Sequence, residues 1–111
     1  MEIAARTLTV QDGASNLSIL ILIFPPVQQG ANAWSCRYEI GWPEGKEIRE
    51  IWGVDSVQAM FLALQAIGSD IYTSSYHKNG NLSFEALGKG YGFPVPSSLR
   101  DLLVGDDAKY L

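Results

Sequence analysis

An alternation of apolar and polar side chains from residue 34 to residue 42 is the feature that most constrains this chain. Positions 34, 36, 38, 40 and 42 hold Trp, Cys, Tyr, Ile and Trp, and Ser35, Arg37 and Glu39 lie between them. A period of two is typical of a β-strand that has one face in the core and the other in water. The pattern therefore predicts a strand with an aromatic-rich inner face and a charged outer face.

The flanking segments predict an antiparallel β-meander around that strand. Residues 2–10 alternate loosely, and residues 17–24 are apolar on both faces until Pro25-Pro26, where neither proline can donate to a strand ladder. We expect a loop from there to residue 33, a strand at 46–53 and a short strand at 82–85. Four or five strands result.

The turn Pro43-Glu44-Gly45 sets the expected register of the hairpin. A three-residue loop pairs Ile40 with Ile48 on the inner face and Glu39 with Arg49 on the outer face. A loop one residue longer would instead set Ile40 opposite Glu47 and reverse the faces of one strand. We predict the first register.

One long amphipathic helix follows, because apolar residues recur at helical spacing after a capping residue. Asp55 with Gln58 predicts the start, and the helix is expected over 56–74. The expected buried stripe is Val57, Met60, Phe61, Leu64, Ile67 and Ile71. A short C-terminal helix is expected from Ser97 or Ser98, and residues 105–111 form a polar tail that we expect to fray. The sequence therefore predicts that residues 1–111 form a single α+β domain with the long helix on one sheet face.

Composition narrows the function. The 111 residues are 47% hydrophobic and 18% charged, with a net charge of -4, which is typical of a globular protein and argues against nucleic-acid binding. One cysteine and one histidine exclude the common zinc arrangements, so we expect no metal and no cofactor. The apolar run Leu17–Phe24 is shorter than the ~20 residues of a membrane span, so we expect no membrane association and a cytoplasmic location.

Two groups of residues are candidates for binding a partner. In the expected register Arg37, Glu39, Glu47 and Arg49 form a mixed-charge patch on the outer sheet face, which either is simply solvated or steers a charged partner. Tyr91 lies in a glycine-rich loop and Phe93 directly follows it, and these two residues are the aromatic candidates. Trp34, Trp42 and Trp52 either pack in the core or, where exposed at a strand end, resemble binding anchors.

The glycine-rich loop itself, Gly88-Lys89-Gly90-Tyr91-Gly92, suggests an alternative function. Such loops bring backbone N–H groups close to anions, and His77 and Lys89 would supply the reactive groups of a small ligand-binding domain or enzyme. The loop lacks the spacing of a phosphate loop, GxxxxGK[ST]. An irregular turn is the simpler interpretation, with His77 as an exposed surface residue and Cys36 as a buried, inert thiol.

The second strand carries the strongest argument for a partner. Ile19, Ile21 and Ile23 point to one side, whereas Leu20, Leu22 and Phe24 point to the other. The long helix can cover only one side. The other must be covered by the C-terminal segment or by a second protein chain, and we predict a protein–protein contact there, with either a homodimer partner or a cognate protein.

Several segments resemble a known family. These are residues 34–40 (WSCRYEI), 55–59 (DSVQA), 64–68 (LQAIG) and 90–94 (GYGFP). They are similar to those of small bacterial proteins catalogued as a domain of unknown function, a resemblance over roughly residues 33–96 that implies no activity. In size, acidity and architecture the chain is also similar to immunity proteins of bacterial toxin systems. The leading hypothesis is a non-enzymatic protein-binding domain, in its most specific form an immunity protein that blocks a cognate toxin.

Overall fold

A computed structural model describes all 111 residues and has the predicted α+β architecture. Its strands are all antiparallel, one long helix packs on the sheet, and a short helix follows near the C-terminus, as the sequence predicts. In chain order the elements are β1 Ala4–Asp12, β2 Ser15–Ile23, β3 Val27–Gly30, β4 Ala33–Trp42, β5 Gly45–Gly53, α1 Ser56–Tyr72, α2 Ser75–Lys78, β6 Leu82–Ser83, a 3₁₀ helix Ser97–Leu102 and α3 Gly105–Tyr110.

The strands lie in the order β5-β4-β2-β1-β6, and β3 lies beside β4 next to the end of β2. Ile21 of β2 pairs with Ile40, and Val27 of β3 pairs with Ser35. The expectation of a loop over residues 25–33 is therefore wrong in part. The prolines interrupt pairing, but the chain then returns to the same edge of β4. All four residues of β3 are exposed, so no alternation marks them as a strand.

The β4–β5 register differs from the predicted one. Trp42 pairs with Gly45, so the turn is the two residues Pro43-Glu44, and Ile40 lies opposite Glu47. The predicted Ile40–Ile48 pair is wrong because Gly45 already belongs to β5. Directly opposed residues share a face, so one residue less in the turn moves every side chain of β5 to the other side.

The inner sheet face holds most of the core. Cys36, Tyr38 and Ile40 of β4 are fully buried, as predicted for Cys36, and Leu8, Ile19 and Ile21 pack on the same side. The Cys36 thiol donates to the carbonyl oxygen of Phe24 at 3.3 Å, and burial raises the pKa of that thiol. Its location confirms a small buried hydrophobe.

The start of α1 confirms the capping prediction. The Asp55 side chain accepts from the Gln58 backbone N–H at 2.8 Å, and the Gln58 side chain accepts from Val54 N–H at 2.7 Å. The first interaction satisfies a helix N–H group that has no intrahelical partner, and the second ties the residue before the cap to the first turn. The helix ends at Tyr72, two residues before the predicted end at residue 74.

The prediction of the buried stripe of α1 is correct for the second half of the helix and wrong for the first half. Ile67 and Ile71 are fully buried, but in the first half of the helix the alanines Ala59 and Ala63 face the sheet. Val57 and Phe61, expected in the core, are 75% and 52% exposed. Met60 and Leu64 are partly buried. Ile48, paired inward in the predicted register, is also exposed.

Close backbone contact explains the change in the stripe. A Cβ atom on Gly53 would lie 2.5 Å from the backbone nitrogen of Ala59, so α1 passes directly over the end of β5. Only small side chains fit between backbones that approach so closely. The larger residues of the first half of the helix are consequently turned away from the sheet.

The segment after β6 packs on the inner side of the sheet beside α1. A Cβ atom on Gly68 of the helix would overlap the carbonyl of Pro94, and Phe93 and Val95 are buried. The tail from Gly105, which we expected to fray, forms α3 and buries Asp107. The C-terminal segment therefore shares the helix side and leaves the other sheet face uncovered.

We expect Ile67→Ala to lower the free energy of unfolding by about 2–5 kcal/mol, because it removes a fully buried branched side chain. Val57→Ala is the matched control on the exposed side of the same helix and should change stability by less than about 0.5 kcal/mol. Urea denaturation followed by tryptophan fluorescence measures both. Equal losses for the two variants would contradict the helix orientation.

Candidate functional site

The uncovered side of the sheet is the candidate functional site, and we call it the outer face. The register places its side chains in rows across the strands. Leu22 lies beside Glu39, which lies beside Ile48. Arg37 and Glu50 form the row beside it, and in the row after that Val27 lies beside Ser35, and Ser35 beside Trp52. Strand β2 therefore presents its second apolar set to solvent. This is the set that, according to the sequence, needs a cover other than the long helix.

Four large apolar side chains of this face are about half exposed. Leu20, Val27, Ile48 and Trp52 are 46%, 54%, 58% and 52% exposed. Isolated exposed apolar residues are normal, but several on one sheet face, with a tryptophan among them, are typical of an interaction surface. The sequence left open whether each tryptophan packs in the core or is exposed at a strand end. Trp52 is exposed, because it lies in solvent at the end of β5.

The charged residues of the outer face are largely paired with one another. Glu39 lies 3.8 Å from the Arg37 guanidinium and 3.3 Å from the Lys46 ammonium. The Arg37 guanidinium also stacks 4.0 Å from the centre of the Phe24 ring, and Glu50 is its cross-strand neighbour. These charges need no external counterion, so the face is close to neutral.

A recess lies at one end of the outer face. It has a volume of about 440 Å³, and Phe24, Val27, Arg37 and Glu50 are among its lining residues. The Gln29 amide closes part of its wall by donating to the Ser35 hydroxyl at 3.0 Å. Its lining combines an aromatic ring, an aliphatic side chain and both signs of charge, which suits a protein side chain with a polar end.

Glu47 and Arg49 do not lie on the outer face, so the four-residue charged patch expected from the sequence is wrong. The shorter turn moves both to the helix side. Arg49 forms an ion pair with Asp70 of α1 at 3.1 Å, and Tyr38 donates to the same carboxylate. Glu47 accepts from the Trp42 indole N–H at 3.0 Å. Burial raises the pKa of Asp70 and also that of Tyr38. These residues join β5 to the helix.

Tyr91 and Phe93, the aromatic candidates, are 4% exposed each and are core residues of this structure. Arg6 of β1 holds this segment in place. Its guanidinium donates to the Tyr91 carbonyl at 2.9 Å and lies 4.3 Å from the centre of the Phe84 ring. Neither aromatic side chain is available to a partner in this structure.

The glycine-rich loop does bind an anion, and that anion is the chain's own Asp107. The backbone N–H groups of Tyr91 and Gly92 each donate to its carboxylate at 2.8 Å, and the Tyr72 hydroxyl donates at 2.5 Å. A Cβ atom on Gly90, whose φ is +92°, would lie 2.6 Å from the carboxylate carbon. Glycine is therefore required there for the close approach. We call these residues the Asp107 cluster.

His77 borders this cluster and is not the exposed residue that we expected. Its Nδ1 lies 2.5 Å from the Tyr91 hydroxyl oxygen, and its ring packs edge-on against Tyr72. Burial lowers the pKa of His77, and burial together with the charge of Asp107 raises the pKa of Tyr91 to about 12. Both groups are therefore neutral at pH 7.

The parts of the alternative site do not surround a shared cavity. A shallow pocket of about 210 Å³ includes Gly92 and Phe93, but it opens toward Arg6 and Leu64, and neither His77 nor Lys89 lines it. The Lys89 side chain is exposed. A concave pocket between the loop and the helix end would have favoured the alternative, and the structure does not have one.

Comparison with known proteins gives a family. A family model described as a domain of unknown function, DUF6968, matches residues 4–95. The chain belongs to the DUF6968 family. The matched range of this DUF6968 protein contains the whole sheet and α1, and so the entire outer face. No curated protein and no solved structure matches the chain. None of its helices has the length and apolar run needed to cross a bilayer.

Sequence reasoning identified part of the outer face and missed the rest. The apolar run on both faces of β2 predicts that one of its two apolar sets lacks the helix as cover, and the structure shows that this set contains Leu20 and Leu22. Ile48 was assigned to the core, since its position depends on the turn length. Val27 lies in a strand with no sequence pattern. Trp52 lies opposite Cys36 on the inner face in the predicted register, so its exposure also depends on the turn length.

We expect Asp107→Ala to destabilise the DUF6968 protein strongly, by roughly 3 kcal/mol, because two buried N–H groups and a buried hydroxyl lose their acceptor. Asp106→Ala removes an exposed carboxylate from the same helix and should cost below about 0.5 kcal/mol. Thermal unfolding by circular dichroism compares the two. Similar melting temperatures would mean that the cluster contributes little.

Stability should also fall as the pH is lowered through and below about 6.5, because His77 is buried in its neutral form. A lowered folded-state pKa means that the unfolded chain binds the proton first, so the contribution is present above the unfolded pKa and is lost below it. His77→Asn should show a smaller decline between about pH 8 and pH 5.5 in urea denaturation. An unchanged slope would show that His77 does not titrate on unfolding.

Proposed function

We propose that this DUF6968 protein is a non-enzymatic protein-binding domain and that its partner lies on the outer face. One observation carries the proposal: no part of the chain covers that face, and four of its large apolar side chains are about half exposed, namely Leu20, Val27, Ile48 and Trp52. A sheet face of this kind normally lies against a second layer of structure. The chain supplies a second layer only on the inner side.

The chemistry of the face indicates the kind of partner. Its charges are internally paired, so contact energy would come mainly from apolar burial, with Trp52 as the anchor. The recess beside Phe24 would take one side chain of the partner. The net charge of -4 favours a partner of positive net charge, because long-range attraction raises the rate of encounter. We therefore propose a basic protein with an exposed apolar surface.

The more specific form of the proposal is an immunity protein in a bacterial cytoplasm, which blocks a cognate toxin by covering its working surface. Small size, acidity and the α+β architecture support it, as does a binding face built on strands that do not need to move. The anion-binding N–H groups of residues 91 and 92 are occupied by Asp107, so the glycine-rich loop gives no support to the alternative of an enzyme or ligand-binding domain.

The direct experiment compares tagged variants in native lysate. Wild type and Phe61→Ser, an exposed residue on the helix side, should retain the same protein, whereas the double variant Val27→Ser/Trp52→Ser should lose it at least about tenfold. The retained protein, once identified, is purified and titrated by calorimetry. Toxicity of that protein alone, relieved by co-expression of wild type but not of the double variant, tests the immunity form.

Two results would contradict this function. Binding that is lost equally in Phe61→Ser would place the contact on the helix side. Binding that survives Val27→Ser/Trp52→Ser in the purified system would remove the outer face from the interaction. A partner that is bound but not toxic would contradict only the immunity form.

A further inference from the structure

Strand β5 is a long sheet edge with no neighbour on one side. It has nine residues, Gly45–Gly53, and pairs only with β4. The opposite edge of the sheet, β6, has two residues. No loop or helix donates backbone hydrogen bonds to β5 along its free side. Every second residue of β5 therefore presents unpaired N–H and C=O groups that another strand can use.

The side chains of β5 restrict what can pair with that edge. Its centre reads Lys46-Glu47-Ile48-Arg49-Glu50, with Lys46, Glu50 and Ile48 on the outer face and Glu47 and Arg49 on the helix side. Charges on an edge strand commonly prevent indiscriminate pairing, because most registers bring like charges together. The order of these charges allows one exception.

That exception is a two-fold pairing of β5 with itself, centred on Ile48. Antiparallel strands related by a two-fold axis keep the same face on the same side, so residues at equal distances from the centre lie opposite each other. Lys46 then lies opposite Glu50 of the second copy, and Glu47 opposite Arg49. All four charged residues face the opposite sign, and Ile48 meets Ile48.

The other two-fold registers lack this property. If the centre is Lys46, Glu47, Arg49 or Glu50, that charged residue meets its own copy. If the centre is Ile51, Glu50 lies opposite Trp52 and Arg49 opposite Gly53, which leaves the charges without partners. Opposed unlike charges stabilise a strand pair and opposed like charges destabilise it. Charge therefore selects a single register.

We propose that a second copy of this chain binds along the free edge of β5, in antiparallel register about Ile48. The two sheets become one continuous sheet, and the two outer faces become one surface of twice the width. Ile48 is 58% exposed and lies at the centre of the contact. The Lys46 and Arg49 side chains are 58% and 44% exposed despite their ion pairs with Glu39 and Asp70. They can therefore also meet Glu50 and Glu47 of the second copy. The proposal rests on the strand edge, whereas the proposed function rests on the sheet face.

A charge exchange tests the register directly. Lys46→Glu sets a glutamate against Glu50 of the second copy, and Glu50→Lys sets a lysine against Lys46, so each variant alone should raise the dimer dissociation constant at least about tenfold. The double variant exchanges the signs and should restore the dimer. An equimolar mixture of the two single variants should form a heterodimer. Sedimentation velocity over a concentration series measures all four samples, and circular dichroism confirms that each is folded.

Crosslinking locates the axis. In Ile48→Cys the two thiols lie opposite each other across the strands, where Cβ atoms are about 4.5–5.5 Å apart, and mild oxidation should give a covalent dimer. Trp52→Cys is the matched control, since the same register separates its two copies by about 26 Å along the strands. Cys36 is fully buried and does not compete.

Three outcomes would overturn the proposal. They are a wild-type protein that stays monomeric at the highest attainable concentration, a dimer that the single charge variants do not weaken, and crosslinking at position 52 in place of position 48. A dimer that is lost in Val27→Ser/Trp52→Ser but unaffected by the charge variants would place self-association on the outer face. That result would leave the β5 edge free.

Discussion

The two-residue turn Pro43-Glu44 is the constraint on which the rest of the structure depends. Its length fixes which side chains of β5 meet the helix and which meet water. Arg49 and Glu47 point inward, where Asp70 and Trp42 satisfy them, and Ile48 and Trp52 point outward. A turn one residue longer would bury the isoleucine and expose the ion pair. The length of this turn thus determines both the contacts between β5 and the helix and the side chains that the outer face presents to solvent.

The helix position follows from a second local feature, the absence of side-chain bulk where α1 crosses β5. Gly53 and Ala59 allow near backbone contact, and further along α1 the larger side chains of Ile67 and Ile71 are fully buried in the core. Polar groups join the layers at the far end of the helix, where Asp70 binds Arg49 and Tyr72 binds Asp107. Small residues determine the approach at one end of α1, and charged hydrogen bonds hold the other end.

Sequence patterns predicted what depends on near neighbours along the chain. The alternation in β4, the two apolar faces of β2 and the cap at Asp55 are each set within a few residues. The predicted hairpin register is wrong because the sequence is compatible with two turn lengths, and only tertiary packing distinguishes them. The predicted buried stripe did not include Ala59, because hydrophobicity cannot indicate how closely a helix approaches a sheet. Asp107 was missed, and the exposed position expected for His77 is wrong, because their partners lie 35 and 14 residues away, beyond the reach of any spacing argument.

The Asp107 cluster has a consequence for the order in which the molecule can assemble during synthesis. Arg6, near the start of the chain, is held to a carbonyl 85 residues later, and that segment is in turn held by Asp107. Strands β1 to β5 contain mostly hairpin contacts and can pair as they leave the ribosome, but the side of the core next to α1 stays open until residue 107 has been made. Closure of long-range contacts is slow compared with hairpin formation. We therefore expect a nascent state with a formed sheet and a solvent-accessible Tyr72, whose partners Tyr91 and Asp107 have not yet been made, and chaperones would recognise such a form.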